Sequence, residues 1–285
     1  MSSELNFKRQ LRNNKRKRKI KNNLILFVLS LIIITVFILC VKGIFTNFKN
    51  NSKEPTQFIF NGYVYPEPPP KNDDMMKDLK RGDGVKTAYL TFDDGPNETV
   101  TVRVLDILRK YNIKATFFMV GTLIEKNSHV ARRIYDEGHL LANHSYSHNY
   151  SELYADKDGF MNQVNKTQEL INGIVKRDDY PKIFRFPGGG FDTGKYGPQK
   201  QEYKLLLNEN KFRYCDWNSM TGDAETSAPT YEQIMKTIKS TTRGQEDSVI
   251  LLHDALAKKI TPETLAEVIE YLISQGYVFD TIDNI

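Results

Sequence analysis

Residues 85–285 alternate short apolar runs with longer amphipathic stretches, and this alternation restricts the fold more than any other feature of the chain. The apolar runs are TAYLTF (87–92), ATFFMV (115–120), HLLAN (139–143), KIFRF (182–186), FRYCDW (212–217), SVILLH (248–253) and YVFDTI (277–282). They read as strands, and the segments between them have helical period. VTVRVLDILRKYNI places Val100, Val104, Ile107 and Leu108 on one face. TPETLAEVIEYLISQGY offers Thr261 as N-cap, Pro262 at the first helical position and Gly276 as the stop. Strands alternating with helices imply an α/β fold with a parallel sheet and right-handed crossovers. Seven such units favour a (β/α) barrel, complete or not, over an open doubly wound sheet. No Gly-x-Gly-x-x-Gly follows the first strand, so dinucleotide binding has no support.

In such folds the chemistry gathers at the C-terminal ends of the strands. Those ends carry, in order, Asp93-Asp94, His144 with His148, Arg185 with a glycine run, Asp216-Trp217 with Asp223, and His253-Asp254. Alone, the DDGP that closes the first strand is an ordinary Asp-Gly turn. Two adjacent anions repel, however, and gain a purpose when one holds a cation and its neighbour accepts a proton. His144 and His148, four apart, would share one face of a helical turn and could grip one ion. The other two of the five histidines besides His253, His129 and His139, read as structural. Two imidazoles and one carboxylate make a three-ligand site with a position left for water. That donor set suits zinc best, with cobalt, nickel or iron(II) as alternatives. A cation there would bring a water toward ionisation at neutral pH. The glycines of RFPGGG (185–190) let backbone N–H groups approach an oxyanion closely. His253, across the barrel mouth, is placed to protonate an expelled amine.

The N-terminal part is of another kind. Residues 1–21 hold nine Lys or Arg against one acid, a net charge of +8. The whole chain is +5, so the remainder is −3 and the basic balance gives no support to nucleic-acid binding. Residues 24–41 are apolar except for Ser30 and Thr35, roughly 27 Å as a helix, close to the thickness of a bilayer core. The run is longer than a signal peptide's apolar region and shows no Ala-x-Ala. Leu39 before Cys40 argues against a lipoprotein signal. The expected organisation is a basic cytoplasmic tail (1–23), a single-pass transmembrane anchor (24–46), an extracellular stalk (47–84) and a catalytic domain (85–285), with the N-terminus in the cytoplasm. YPEPPP (65–70) stiffens the stalk, and FIFNGYVY (58–65) could pair as a short strand. The two cysteines, Cys40 and Cys215, fall on opposite sides of this division, so no disulfide holds the exported part.

TFDDGP, NHSYSH, RFPGGG, the Asp that follows DWNSMTG, and LLHD resemble, in this order, the five motifs of the NodB-homology polysaccharide deacetylases, carbohydrate esterase family 4. The resemblance covers residues 86–285 and is most specific in the first two motifs together with KATFFMVG. It implies a distorted (β/α) barrel and metal-dependent removal of acetyl groups from a polysaccharide. It also implies roles: Asp93 as general base; Asp94, His144 and His148 as metal ligands; Arg185 as the partner that orients Asp93. The Gly188 N–H would serve the oxyanion, His253 would be the acid, Leu251 would lie near the acetyl methyl and Trp217 would line the substrate site. The aspartate supporting the acid falls on Asp223 by spacing or on Asp216 by the Asp-Trp letters, with spacing favouring Asp223. Two departures, Gly188 where an aromatic is common and, on the Asp223 placement, Ala224 where Trp is common, would remove walls of the sugar groove and leave substrate preference open. The expectation is one divalent ion, zinc or else cobalt, and a peptidoglycan N-acetylglucosamine deacetylase held against the cell wall. Alternatives are a deacetylase of poly-N-acetylglucosamine or chitin-like oligomers, an O-acetyl esterase of the same fold, or an inactive wall-binding protein. Neither a nucleic acid nor an obligate protein partner is expected.

Overall fold

The protein is described by a computed structural model over residues 58–60, 63–65, 72–79, 84–177 and 179–285. It divides into two units, residues 1–70 and 71–285. In the first unit β1 (Phe58–Phe60) pairs antiparallel with β2 (Tyr63–Tyr65). The stretch expected as one short strand is therefore two strands paired antiparallel. The expected tail (1–23) and anchor (24–46) lie outside the described residues. Among the described residues no helix is long and apolar enough to cross a membrane.

The second unit begins earlier than the expected boundary at residue 85. A 3-10 turn at Met75–Lys77 is capped by Asp74, whose carboxylate accepts from the Met76 N–H. Met75 is fully buried, Asp74 bridges to Tyr214, and Asp78 pairs with Arg213 at 2.6 Å. Polar composition makes this segment read as stalk, yet one methionine and one ion pair dock it on the sheet.

The elements that follow are β3 (Lys86–Gly95), α1 (Val100–Tyr111), β4 (Thr116–Met119), α2 (Gly121–Lys126), α3 (Ser128–Asp136), β5 (Leu140–Asn143), α4 (Tyr150–Leu153) and α5 (Lys157–Val175). Then come β6 (Ile183–Phe184), α6 (Gly197–Glu209), β7 (Arg213–Tyr214), β8 (Ser219–Met220), α7 (Tyr231–Thr241), β9 (Asp247–His253), α8 (Ile260–Ser274) and β10 (Tyr277–Phe279). The sheet runs β7-β6-β5-β4-β3-β9-β8, with β10 added on β3, and its pairings are parallel. β7 and β8 end the order without pairing, so the curled sheet is a half-barrel and not a closed one. Two differences from the sequence reading stand out. β8 was not anticipated, because a two-residue strand has no period to read. KIFRF and FRYCDW pair over only two residues each, which leaves Arg185 and Asp216 just beyond their strands.

β3 is central because its side chains serve two faces. Ala88, Leu90 and Phe92 join Phe117, Leu141, Ile250 and Leu252 beneath the helices, where Val104, Leu108, Leu265 and Ile269 cover them. Tyr89 faces the other way with Phe118, Ala142 and Val249, and Thr91 and Asp93 continue that face toward the strand's end. Both faces are covered, which is why these strands read as continuous apolar runs. On α1 the buried side is Val100, Val104, Leu105 and Leu108, with Ile107 only half-buried. α8 starts one residue before the expected cap: Lys259 is N-cap, Thr261 lies inside the first turn and Pro262 follows it. The Thr261 hydroxyl is used elsewhere.

Candidate active site at the strand ends

β3 ends in a bulge. Asp93 is in register with Phe118 of β4, Gly95 with Met119, and Asp94 is the extra residue between them. Asp94 takes the left-handed conformation, φ +75°, which costs a non-glycine residue energy and is retained where surroundings enforce it. In a regular strand successive side chains point to opposite faces. The bulge instead brings both carboxylates to one imidazole: His144 Nε2 is 3.7 Å from Asp93 Oδ2 and 3.5 Å from Asp94 Oδ1. Gly95 follows because a Cβ there would collide with the buried Asp254 carboxyl, 2.1 Å away. Asp254 accepts from the Thr101 hydroxyl at 2.6 Å, and burial, then the nearby Asp94 and Asp93, push its pKa up to about 7. Its place is beneath the turn.

Asp93 is buried and held by Arg185, which is itself fully buried. Arg185 Nη1 donates to Asp93 Oδ1 at 2.9 Å and to Thr91 Oγ1 at 2.7 Å. Nε donates to the Cys215 carbonyl, Nη2 to the Asp216 carbonyl, and the guanidinium carbon sits 4.0 Å from the Phe118 ring centroid. A planar fork with this many fixed acceptors holds one orientation, and so does the carboxylate it grips.

Asp94, His144 and His148 form a three-donor group whose ligand atoms lie within 4.8 Å of one another. His148 Nε2 is 3.1 Å from Asp94 Oδ1, and that oxygen is buried without a hydrogen bond. Donors about 2.0–2.1 Å from a tetrahedral ion stand roughly 3.4 Å apart, close to the 3.1 and 3.5 Å seen here. The residues therefore fit a single divalent cation. His144 Nδ1 lies 2.9 Å from the Arg185 carbonyl, which can only accept, so the proton sits on Nδ1 and the Nε2 lone pair faces the group. Burial raises the Asp94 pKa, but His144, His148 and His253 more than offset this and hold it well below the usual carboxylate range. Burial, then His144, lower the pKa of His148 and favour the neutral, ligating form. The expected helical turn is absent: residues 144–149 are a loop, with Ser145 at φ +68° and His148 at φ +56°. Asn143, Ser145 and Gln163 pin it, through Ser145 N–H to Asn143 Oδ1, His148 N–H to Ser145 Oγ and Ser147 N–H to Gln163 Oε1.

His253 ends β9 in register with Asp93. Its Nδ1 is 2.9 Å from Asp223 Oδ1, and its backbone N–H donates to Asp223 Oδ2 at 2.7 Å. The Thr261 hydroxyl donates to the same Oδ2 at 2.8 Å. Burial lowers the His253 pKa, but the Asp223 hydrogen bond and charge, with Asp93 and Asp94, carry it up to about 9. Of the two aspartates weighed from sequence, Asp223 is the one that touches His253. Asp216 accepts from the Gly190 N–H at 2.7 Å and offers its carbonyl to Arg185. Leu251 is buried two residues before His253, opposite Thr91. Trp217 meets Phe191 edge-on at 5.4 Å.

The RFPGGG loop is fastened by residues that carry no motif. Lys200 of α6, almost fully buried, donates to the carbonyls of Pro187, Gly188 and Gly189, and Tyr154 donates to Pro187 at 2.8 Å. Gly188 and Gly189 have φ +73° and +76°, which favours glycine. The Gly188 N–H makes no hydrogen bond among the described residues. Tyr150 lies against this loop and beside His148, with ring centroids 5.5 Å apart. Lys200, Tyr154 and Tyr150 gave no signal in sequence, and Thr261 read only as a helix cap, since each acts through tertiary placement. His129 pairs with Glu98 at the surface and His139 is buried with Nδ1 accepting from Ala115 N–H, both away from this group.

Similarity to known proteins bears on this arrangement. A family profile described as "Polysaccharide deacetylase" matches residues 80–202. A peptidoglycan-N-acetylglucosamine deacetylase of Bacillus cereus is 29% identical over 202 residues, covering 70% of this chain and 88% of that one. One from Listeria monocytogenes is 31% identical over 201 residues, but this chain spans only 39% of its length. Among solved structures, the catalytic domain of a peptidoglycan N-acetylglucosamine deacetylase from Eubacterium rectale superposes with a TM-score of 0.64 at 31% identity, covering 70% of this chain and 90% of that domain.

Proposed function

The chain belongs to the polysaccharide deacetylase family, and from that membership we propose that it hydrolyses N-acetyl groups of peptidoglycan N-acetylglucosamine, releasing acetate and leaving a free amine. The observation that carries the reading is the division of labour at the end of β3: Asp94 faces two imidazoles, while Asp93 is held apart by Arg185. The peptidoglycan assignment draws on the names of the similar proteins and on the expected anchor. In this reading residues 24–46 hold the catalytic unit outside the cell membrane, facing the wall.

Asp94, His144 and His148 would hold the cation, zinc by donor type with cobalt as alternative. Such an ion supplies Lewis acidity to the acyl oxygen and to the attacking water. Asp93 takes the proton of that water, its free oxygen aimed by the Arg185 grip on the other. The free N–H of Gly188 donates to the acyl oxygen as it becomes an oxyanion. His253, charged at neutral pH through Asp223, gives its proton to the departing amine. Leu251 and Trp217 border the acetyl group and the sugar.

The test is acetate release by the full-length chain, purified in detergent and supplied with zinc. N-acetylated muropeptides are compared with chitooligosaccharides and poly-N-acetylglucosamine. Preferred turnover of muropeptides supports the proposal; preference for either other glycan transfers it to that substrate. Absence of acetate from all three overturns it.

A further inference from the structure

Gly188 and Tyr150 claim the same space. A Cβ built on Gly188 would lie 2.8 Å from Tyr150 Oη and 3.2 and 3.3 Å from ring atoms Cε2 and Cζ. Any side chain at 188 would have to displace the tyrosine. The Tyr150 ring is braced edge-on by His148 at 5.5 Å, Tyr154 at 5.9 Å and Tyr196 at 6.3 Å. Tyr154 is in turn tied to the Pro187 carbonyl at 2.8 Å. Despite this bracing Tyr150 remains 37% exposed, and its hydroxyl makes no hydrogen bond among the described residues.

An exposed tyrosine on a surface is ordinary. This one borders the candidate ligand His148 on one side and the loop that offers the Gly188 N–H on the other. It therefore edges the volume that an acyl group must enter. Packing alone does not explain it, since a ring kept rigid and left partly open next to reacting groups is a contact surface held ready. A pyranose has apolar C–H faces, and an aromatic ring is the side chain that covers such a face while tolerating its hydroxyls at the rim.

We propose that Tyr150 is a specificity-determining residue: its ring forms the wall of the glycan cleft and packs on the face of the sugar that bears the acetamido group. Glycine at 188 is then demanded by the tyrosine at 150 as well as by its own φ. The proposal rests on the deacetylase reading above.

The test separates binding from chemistry. The metal-free full-length chain is titrated calorimetrically with an N-acetylglucosamine oligosaccharide, and steady-state kinetics follow on the zinc-loaded chain. Tyr150→Ala should raise Kd and KM about tenfold, with kcat lowered less than about threefold. Tyr150→Phe should restore both constants to within about twofold of the parent. Tyr150→Leu, which keeps apolar volume without a ring, should behave as the alanine variant and serves if that variant fails to fold. Unchanged Kd and KM in Tyr150→Ala or Tyr150→Leu, with only a lower melting temperature, would overturn the proposal. So would a loss in Tyr150→Phe equal to that in Tyr150→Ala, because the hydroxyl and not the ring would then be at work. If the parent chain releases no acetate from any glycan, it is the deacetylase reading that fails.

Discussion

Asp93 and His253 stand in register on the adjacent parallel strands β3 and β9, and the N–H of Asp254 donates to the Asp93 carbonyl at 2.9 Å. The proposed base and acid are thus neighbours across one rung of the ladder, each fixed by a partner from another strand end. Arg185 holds Asp93 and Asp223 holds His253.

The acid should give the alkaline limb of the pH–rate profile. His253 must carry its proton to act, and its pKa is raised to about 9, so kcat should fall as pH rises through that value. Asp223→Asn removes the charge that holds the proton and should move the limb toward the ordinary histidine range, about 6.5. His253→Ala and Asp93→Asn should each lower kcat by about 10²–10⁴-fold. A limb that stays in place in Asp223→Asn would contradict the assignment.

Arg185→Met strands the buried Asp93 carboxylate without its partner. Stability should fall by about 3–5 kcal/mol in urea unfolding, and turnover should fall steeply. Zinc content should be retained, because His144 is oriented by the Arg185 backbone carbonyl, which the substitution keeps. Loss of zinc would mean the guanidinium shapes the metal site as well.

Metal stoichiometry checks the ligand group directly. The full-length chain should bind one zinc per molecule, and Asp94→Ala, His144→Ala and His148→Ala should each abolish tight binding. Chelation should remove activity and zinc or cobalt restore it. At a free zinc concentration 100 times Kd, folding should gain about 2.7 kcal/mol, visible as a higher melting temperature lost in the same variants.

His139 predicts sensitivity to acid away from the site. Burial, then Lys114 and Arg133, lower its pKa to about 3, so it stays neutral in the fold. The unfolded chain takes up a proton near 6.5, so this contribution is present above that pH and is lost as pH falls toward 3. Between pH 6 and 4 the slope should approach about 1.4 kcal/mol per unit from this group. His139→Asn should flatten the slope when urea midpoints are measured across that range.

Much of this is legible in the amino-acid sequence. Strands buried on both faces must be apolar throughout, so each one ends visibly where the first polar residues arrive. In a parallel sheet those ends share one rim. Asp93, Asp94, His144, Arg185 and His253 could therefore be gathered from linear order. The tertiary structure alone decided which of them touch. The choice of Asp223 over Asp216 at His253, the use of Thr261 on Asp223 instead of as a cap, and the brace of Lys200 under the glycine loop depend on how loops travel between elements. So does the meeting of Tyr150 with Gly188, which are 38 residues apart, one opening α4 and the other in the glycine loop. Periodicity and spacing describe a residue's surroundings along the chain, whereas contacts of this kind arise from packing between segments whose paths local sequence does not encode.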